Sequence, residues 1–229
     1  METRKKKLAL AIALLALFCV WTVVVKTVDI GAVGPSGSAV GLASINEKCH
    51  QLTGVDMRLY YLTDALSILP LLIVLGFAML GFCEFVKRKR IALVDRSLLV
   101  LGGYYIAVFC AFIVFEIFPV NYRPVLIDGA LEASYPSSTT LLCACVMPPA
   151  IAEIRMRMAK KHRALADALS VLCFAFAILM IVLRVLSGVH FITDIVGGIL
   201  LSGGLVSGYF YALDVATGKS IFLKKLISA

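Results

Sequence analysis

The sequence predicts an all-α, polytopic membrane protein: a bundle of six transmembrane helices with the N- and C-termini cytoplasmic. Two observations carry this prediction. Of the 229 residues, 61% are hydrophobic and only 16% are charged, which is too apolar for an ordinary soluble domain. Six apolar stretches also approach the length of about 20 residues that crosses a bilayer as a helix. No repeat or composition break divides the chain, so we expect a single domain over residues 1–229.

The six apolar stretches give the predicted spans. They are Leu8 to Val25, Tyr61 to Val86, Ser97 to Phe118, Ser138 to Ile154, Ala168 to Leu186 and Phe191 to Leu213. The first has a basic flank but no small-x-small cleavage pattern before Lys26, which favours a retained anchor over a removed signal peptide. In the fourth, Pro148-Pro149 is expected to kink or end the helix.

The longest segment between spans, about residues 26–60, is predicted to be an external excursion. Its Gly34-Pro35-Ser36-Gly37-Ser38 run favours a turn over a phosphate-binding loop, because glycine and proline supply turn geometry. The remainder, Val40 to Arg58, predicts an amphipathic helix on the outer surface.

The basic residues are unevenly distributed and set the predicted orientation. One side would hold Arg4, Lys5, Lys6, Lys7, Lys87 to Arg90, Arg96, Arg155, Arg157, Lys160, Lys161, Arg163, Lys219, Lys224 and Lys225. The other side keeps Lys26, Lys48, Arg58, Arg123 and Arg184. The positive-inside rule then places both chain ends in the cytoplasm and the opposite loops outside a plasma (cytoplasmic) membrane. The net charge of +8 is explained by basic loops that orient the chain and contact anionic lipid. The chain has no nucleic-acid recognition motif, so the charge does not indicate nucleic-acid binding.

The seven cysteines do not predict a disulfide framework or a metal site. Six lie within predicted spans, and only Cys49 lies outside them. Cys143-x-Cys145 lacks the companion ligands that a zinc site needs.

The segment from Arg184 to Asp194 is the strongest candidate for chemistry. If the chain is helical from Phe191 onward, His190 and Asp194 share one face, and the carboxylate can fix the tautomer of the imidazole. Arg184, across a Ser187-Gly188 turn, adds a planar cation suited to bidentate phosphate contact. The three residues together predict a nucleophile that acts on phosphate.

The loop before the fourth span supplies further polar groups on the same side. Arg123 follows the third span, and Tyr135-Pro136-Ser137-Ser138-Thr139-Thr140 opens the fourth. Hydroxyl residues after a proline suit a helix start, whose free N–H groups can hold an anion. Beside two arginines and a histidine, we interpret this start as part of a phosphate cradle rather than only a cap.

These segments resemble the signature of the type-2 phosphatidic acid phosphatase and vanadium haloperoxidase superfamily. Its pattern is Lys-x6-Arg-Pro, then Pro-Ser-Gly-His, then Ser-Arg-x5-His-x3-Asp. The matching residues are Arg123-Pro124, Pro136-Ser137, Arg184, His190 and Asp194, in the same order, within a motif-bearing region of about residues 116–194. Six membrane helices fit the membrane branch of that superfamily.

The resemblance implies a role for each matching residue. His190 would be the nucleophile that forms a phosphohistidine, and Asp194 would orient it. Arg123 and Arg184 would clamp the phosphate, and Ser137 would donate from its binding loop. Ser138 and Thr139 do not match the pattern, but at the helix start beside Ser137 they are also expected to bind the phosphate. The resemblance implies no metal and no cofactor, because arginines and a helix N-terminus supply the positive charge.

The sequence departs from the pattern at four positions. Glu116 replaces the leading lysine, Ser138 the glycine, Thr139 the histidine of the second motif, and Leu183 the serine before Arg184. In the family that histidine protonates the leaving oxygen, and general acid catalysis contributes roughly 10² to 10⁴ in rate. A threonine hydroxyl is too weak an acid to replace it.

The expected function is therefore hydrolysis of a lipid phosphate or diphosphate at the outer membrane face. A diphosphate such as a polyprenyl diphosphate is favoured, because its leaving phosphate needs little protonation. Hydrolysis of a monophosphate would need another acid, for which Glu132, Asp128 and His50 are the candidates. The main alternative is a catalytically impaired member that binds lipid phosphate or a protein partner without turnover. A transporter or structural membrane protein would leave the motif residues unexplained.

Overall fold

The computed structural model describes residues 2–218, and within them the chain is helical with only isolated β-bridges. The α-helices are α1 (Glu2–Thr27), α2 (Ala43–Thr53), α3 (Met57–Leu66), α4 (Ile68–Arg88), α5 (Arg96–Ile117), α6 (Ser138–Met158), α7 (Arg163–Leu186) and α8 (Ile192–Thr217). Single 3-10 turns lie at Pro35–Gly37 and Ile91–Leu93. Lys219, Lys224 and Lys225, assigned above to the cytoplasm with the C-terminus, lie outside the described residues.

Six stretches of these residues are long and apolar enough to cross a membrane, which confirms the predicted number of spans. Five are single helices, and the sixth combines α3 and α4 over Met57–Arg88. The boundary within that span is at Ser67, which ends α3 and precedes α4. Large apolar side chains on α4, including Leu71, Leu72 and Leu75, are exposed on the surface of the bundle, where they suit contact with lipid.

Helices α6 and α8 form the centre of the bundle. Helix α6 packs against α4, α5, α7 and α8, and α8 also packs along α1 and α5. The core between them contains Phe18, Leu101, Tyr135, Leu141 and Tyr209. Of the two expectations for Pro148-Pro149, a helix end is wrong, because α6 continues through both prolines to Met158; a kink stays a prediction.

The segment between α1 and α3 agrees with the sequence in part. Residues 34–38 form a turn, as predicted, with the Ser38 N–H donating to the Pro35 carbonyl. The predicted amphipathic helix is shorter, as α2 covers Ala43–Thr53. It is also more than a surface element. Buried Asn46 donates to the Thr193 hydroxyl over 3.0 Å, which attaches α2 to the start of α8.

At the end of the bundle opposite the start of α6, some of the basic side chains form ion pairs with carboxylates. Arg155 lies 2.9 Å from Asp167, and Arg157 lies 3.1 Å from the buried carboxylate of Glu153. These two arginines were expected to serve lipid contact, but their first partners are carboxylates of the same chain. The Lys87–Arg90 segment is exposed, and the contact of the basic loops with anionic lipid stays a prediction.

Candidate active site

A short β-like hairpin between α5 and α6 positions Arg123. The Arg123 N–H donates to the Glu132 carbonyl over 3.0 Å, and the Ser134 N–H donates to the Asn121 carbonyl over 2.9 Å. The tip is Asp128-Gly129, where both residues have positive φ, 49° and 80°. A two-residue turn of this kind favours tight hairpins, so the chain returns directly from Arg123 to the start of α6.

The turn between α7 and α8 positions His190. Gly188 has φ of 64°, and a Cβ there would lie 1.7 Å from the carbonyl oxygen of Gly54. The glycine therefore permits both the turn and the close approach of the chain between α2 and α3. Helix α8 begins at Ile192, so His190 precedes it, and the condition for His190 and Asp194 to share one helical face, a helix from Phe191 onward, is not met.

Asp194 caps the start of α8. Its Oδ2 accepts the Phe191 N–H over 3.0 Å, and its Oδ1 accepts from the Asn121 amide over 3.4 Å. Its Oδ2 also lies 3.7 Å from Nδ1 of His190, which is close but longer than a hydrogen bond. The expected carboxylate–imidazole hydrogen bond is thus not formed in this structure, and the nearest carboxylate oxygen accepts the Phe191 N–H at the start of α8 instead.

The second ring nitrogen of His190 contacts Arg123. Nη1 of Arg123 lies 3.1 Å from Nε2 of His190, and both side chains are buried. Nε of Arg123 lies 2.9 Å from Oε2 of Glu132, whose side chain is partly exposed. Arg123 therefore lies between the histidine and a carboxylate at the surface.

Arg184 lies deeper, at the end of α7. Its side chain is only 1% exposed, and its Nη1 donates to the Thr63 hydroxyl over 2.8 Å. No carboxylate in the described part of the chain forms an ion pair with it, and its buried Nε has no hydrogen-bond partner there. The guanidinium lies over the ring of Tyr60, 4.8 Å from the centroid, and that of Arg123 lies 5.7 Å from the same centroid.

The electrostatics of His190 follow from this arrangement. Burial, and then the positive charges of Arg123 and Arg184, hold the pKa of His190 well below its usual value of 6.5. The Ser134 backbone carbonyl acts weakly in the opposite direction. The imidazole is therefore neutral at physiological pH, which is the form a nucleophile needs.

The start of α6 joins the same group of residues. The Ser137 N–H donates to the Asp194 carbonyl over 3.0 Å, and the Ser137 hydroxyl is buried with no partner among the described residues. The first hydrogen bond toward the helix is from Leu141 to the Ser137 carbonyl. The N–H groups of Ser138, Thr139 and Thr140 precede Leu141 in the first turn, so they have no acceptor within the helix.

Two adjoining cavities lead to this region. One, of about 180 Å³, is lined by Glu116, Arg123, Glu132 and Ser138 among others. The second, of about 350 Å³, lies between α4, α5 and α6 and is mainly apolar, with Ser138 and Thr139 in its wall. Because Ser138 lines both, an apolar cavity adjoins a polar one that contains Arg123.

The three candidate acids occupy different places. Glu132 pairs with Arg123, whereas Asp128 is exposed at the tip of the hairpin. His50 shares a cavity of about 20 Å³ with His190, but burial lowers its pKa, which disfavours the protonated form. By position, Glu132 is the best placed of the three.

The structure adds residues that the sequence analysis did not single out. Asn121 contacts Asp194, while Tyr60 and Thr63 contact Arg184. A polar Asn at the end of a span was a usable signal, because polar groups near a membrane interior need partners. Tyr60 gave no such signal, since an aromatic residue at the start of a span is common.

Comparison with known proteins was made by sequence and by structure. The sequence model of the PAP2 superfamily matches residues 116–217. Among solved structures, the chain is similar to one described as the first transmembrane PAP2 type phosphatidylglycerolphosphate phosphatase from Bacillus subtilis. The TM-score is 0.57 at 20% identity, covering 91% of this chain and 96% of that chain, so the likeness is one of fold. No curated protein matched the chain.

Proposed function

We propose that this chain is a member of the membrane branch of the PAP2 superfamily, whose sequence model matches residues 116–217, and that it is an integral-membrane phosphatase that hydrolyses a lipid phosphate or diphosphate through a phosphohistidine. The observation that carries the proposal is the contact between Arg123 and the Nε2 atom of His190, with Arg184 close enough to lower the pKa of the same imidazole. A neutral imidazole beside two guanidiniums suits attack on a phosphate held by those guanidiniums.

In the proposed first step, Nε2 of His190 attacks phosphorus. The Nε2–P bond forms while the P–O bond to the leaving group breaks, and Arg123 and Arg184 stabilise the charge on the phosphoryl oxygens. Water then attacks the phosphohistidine, which releases phosphate and restores the imidazole. The arginines supply positive charge where other phosphatases use a metal ion, so we propose a metal-independent reaction.

The unpartnered polar groups support a phosphate site. The Nε of Arg184 and the Ser137 hydroxyl are buried without a hydrogen-bond partner among the described residues. A buried donor left unpaired costs about 1–3 kcal/mol, which phosphate oxygens would offset. The free N–H groups at the start of α6 favour an anion at the same place.

The cavity between α4, α5 and α6 supports a lipid as the substrate. Its walls include Leu71, Val74, Val108 and Phe109, which suit a hydrocarbon chain. Through Ser138 it adjoins the polar cavity that contains Arg123. A lipid could therefore place its headgroup near the arginines and its first methylenes against apolar side chains.

We propose that this site faces the outside of the plasma membrane, with both chain ends cytoplasmic. The support is the distribution of basic residues, which are concentrated at the opposite end of the spans.

A catalytically impaired protein is the second candidate, and Thr139 is the observation that favours it. The residue stands where the family has its acid histidine, and the Thr139 side chain is buried at the start of α6. Such a protein would bind lipid phosphate, or hold a protein partner, without turnover.

An assay of the purified protein in detergent would separate the two. Lipid monophosphates and diphosphates, including a polyprenyl diphosphate, would be offered with EDTA present, and released phosphate measured for wild type and His190→Ala. We expect release from at least the diphosphates by wild type alone. Binding without release by wild type would favour the impaired protein, and equal release by the variant would exclude His190 as the nucleophile.

A further inference from the structure

The arrangement of Arg123 and Arg184 raises a physical problem. Two like charges lie near one buried histidine, and only Arg123 has a carboxylate partner among the described residues. Burying an unpaired cation is costly, and repulsion between the two guanidiniums adds to the cost. Some group must compensate without occupying the donors that a phosphate would need.

Tyr60 meets this requirement. Its buried ring lies 4.8 Å from the guanidinium carbon of Arg184 and 5.7 Å from that of Arg123, measured to the ring centroid. Both distances are within the range of about 6 Å in which a cation is attracted to an aromatic face. The face of an aromatic ring attracts the positive charge but accepts no hydrogen bond in the plane of the guanidinium. The in-plane N–H groups of the guanidinium are therefore not occupied by the ring.

Neighbouring groups on α3 fix the Arg184 side chain. Its Nη1 donates to the Thr63 hydroxyl over 2.8 Å and lies 3.5 Å from the Tyr60 carbonyl oxygen. The remaining Nε is buried and has no partner within residues 2–218. One edge of the guanidinium is thus held by α3, while Nε is left for another acceptor.

Helix α3 is itself held against the end of α7. Asp56 caps α3 by accepting the Arg58 N–H over 2.8 Å, and its own N–H donates to the Ser187 carbonyl over 3.0 Å. Ser187 follows α7, which carries Arg184. Helix α3 ends at Leu66, with Ser67 as its C-cap before α4 begins, so a separate short helix presents Tyr60 and Thr63 to the site.

We propose that Tyr60 is a positioning residue that holds Arg123 and Arg184 together over one aromatic face, so that both are preorganised for phosphate. The inference rests on the proposed function, but Tyr60 and Thr63 lie outside the 116–217 region matched by the superfamily model. Thr63 assists by accepting from Arg184. Neither residue touches the reacting atoms in this account.

The test compares Tyr60→Leu, which removes the aromatic face, with Tyr60→Phe, which retains it. Steady-state kinetics and the inhibition constant for orthovanadate, a phosphate mimic, would be measured on the purified full chain. We expect Tyr60→Leu to raise the inhibition constant about tenfold and to raise KM more than it lowers kcat. Tyr60→Phe should stay within about twofold of wild type.

Tyr61→Leu is the matched control, because Tyr61 is the adjacent aromatic residue and is 53% exposed. It should leave orthovanadate inhibition unchanged. Equal inhibition constants for wild type and Tyr60→Leu would overturn the inference, as would a Tyr60→Phe variant as impaired as Tyr60→Leu. If Tyr60→Leu does not fold, Thr63→Val carries the test, and an unchanged inhibition constant there would also overturn the inference.

Failure of the proposed function would be visible separately. If wild type hydrolyses no lipid phosphate, the inference is tested by binding alone, through the thermal shift that orthovanadate produces in wild type, Tyr60→Phe and Tyr60→Leu. A shift lost only in Tyr60→Leu supports an anion site organised by Tyr60. No shift in wild type, or equal shifts in all three, overturns it.

Discussion

Nη1 of Arg123 lies 3.1 Å from Nε2 of His190. A guanidinium only donates, so Nε2 must be the accepting nitrogen and the ring proton is on Nδ1. The tautomer is therefore the one whose Nε2 lone pair can attack phosphorus. In this structure that lone pair points to Arg123, so a bound phosphate would take over the Arg123 donor and free the nucleophile in the same event.

The first prediction follows from that contact. His190→Ala removes the proposed nucleophile and should lower turnover by more than about 10³-fold, with the helices still folded. The measurement is phosphate release from the best lipid substrate, with circular dichroism to monitor the helices. His162→Ala is the control, because His162 is exposed before α7, and it should retain full activity.

The intermediate can be sought directly in the same proteins. Wild type quenched during turnover of labelled substrate should carry label that is lost in acid and stable in base, as phosphohistidine is. The His190→Ala protein should carry none. Label that survives acid would indicate a different nucleophile.

The second prediction concerns pH. Burial and the charges of Arg123 and Arg184 hold the pKa of His190 well below 6.5. A lowered histidine pKa means that the neutral, nucleophilic form persists as pH falls through 6.5 and is lost only at lower pH. The acid limb of kcat/KM should thus lie below pH 6.5.

Phosphate groups of the substrate also titrate near pH 6 and must be separated from the enzyme. Profiles for two substrates with different phosphate pKa values would share only the limb that belongs to the protein. A shared limb at or above pH 6.5 would contradict the proposed environment of His190.

The sequence predicted much of the fold because bilayer spans are determined by local composition. All six spans were found from apolar length. The sequence also predicted that Arg123, Arg184 and His190 belong to one site, and in the structure both arginines lie near the His190 ring. The relation of His190 to Asp194 was less accessible. Spacing suggested one helical face, but the Asp194 carboxylate accepts the Phe191 N–H and starts α8 after the histidine.

Tyr60 and Thr63 could not be found from the sequence for a different reason. The Thr63 contact with Arg184 joins residues 121 positions apart and depends on how α3 packs against α7. Composition does not encode that packing. The same holds for the hairpin: Asp128-Gly129 favours a turn, but its use in placing Arg123 depends on Glu132 across the hairpin.

The third prediction tests orientation. Ala130→Cys, at the exposed hairpin, should react in intact cells with a membrane-impermeant maleimide, whereas Lys160→Cys, in the exposed segment after α6, should react only after lysis. The wild type, with its seven native cysteines, gives the background labelling. The reverse pattern would place the site in the cytoplasm.

The last prediction concerns Thr139, which stands where the family has its acid histidine. Without an acid, wild type should cleave diphosphate lipids much faster than monophosphate lipids, because charge on a leaving phosphate is already delocalised. Thr139 lines the cavity of about 350 Å³, so an imidazole there has space. Thr139→His should therefore raise monophosphate hydrolysis more than diphosphate hydrolysis, by about 10-fold or more where the ring reaches the leaving oxygen.

The comparison needs two further variants. Ser138→Gly combined with Thr139→His removes a side chain that would crowd the ring, and Thr139→Val keeps the threonine shape without its hydroxyl. The valine variant should keep the wild-type preference for diphosphates, because the hydroxyl is too weak an acid to protonate the leaving oxygen. A wild type that already prefers monophosphates would refute this account. Glu132 would then be the first acid to replace, since it already lies 2.9 Å from Arg123.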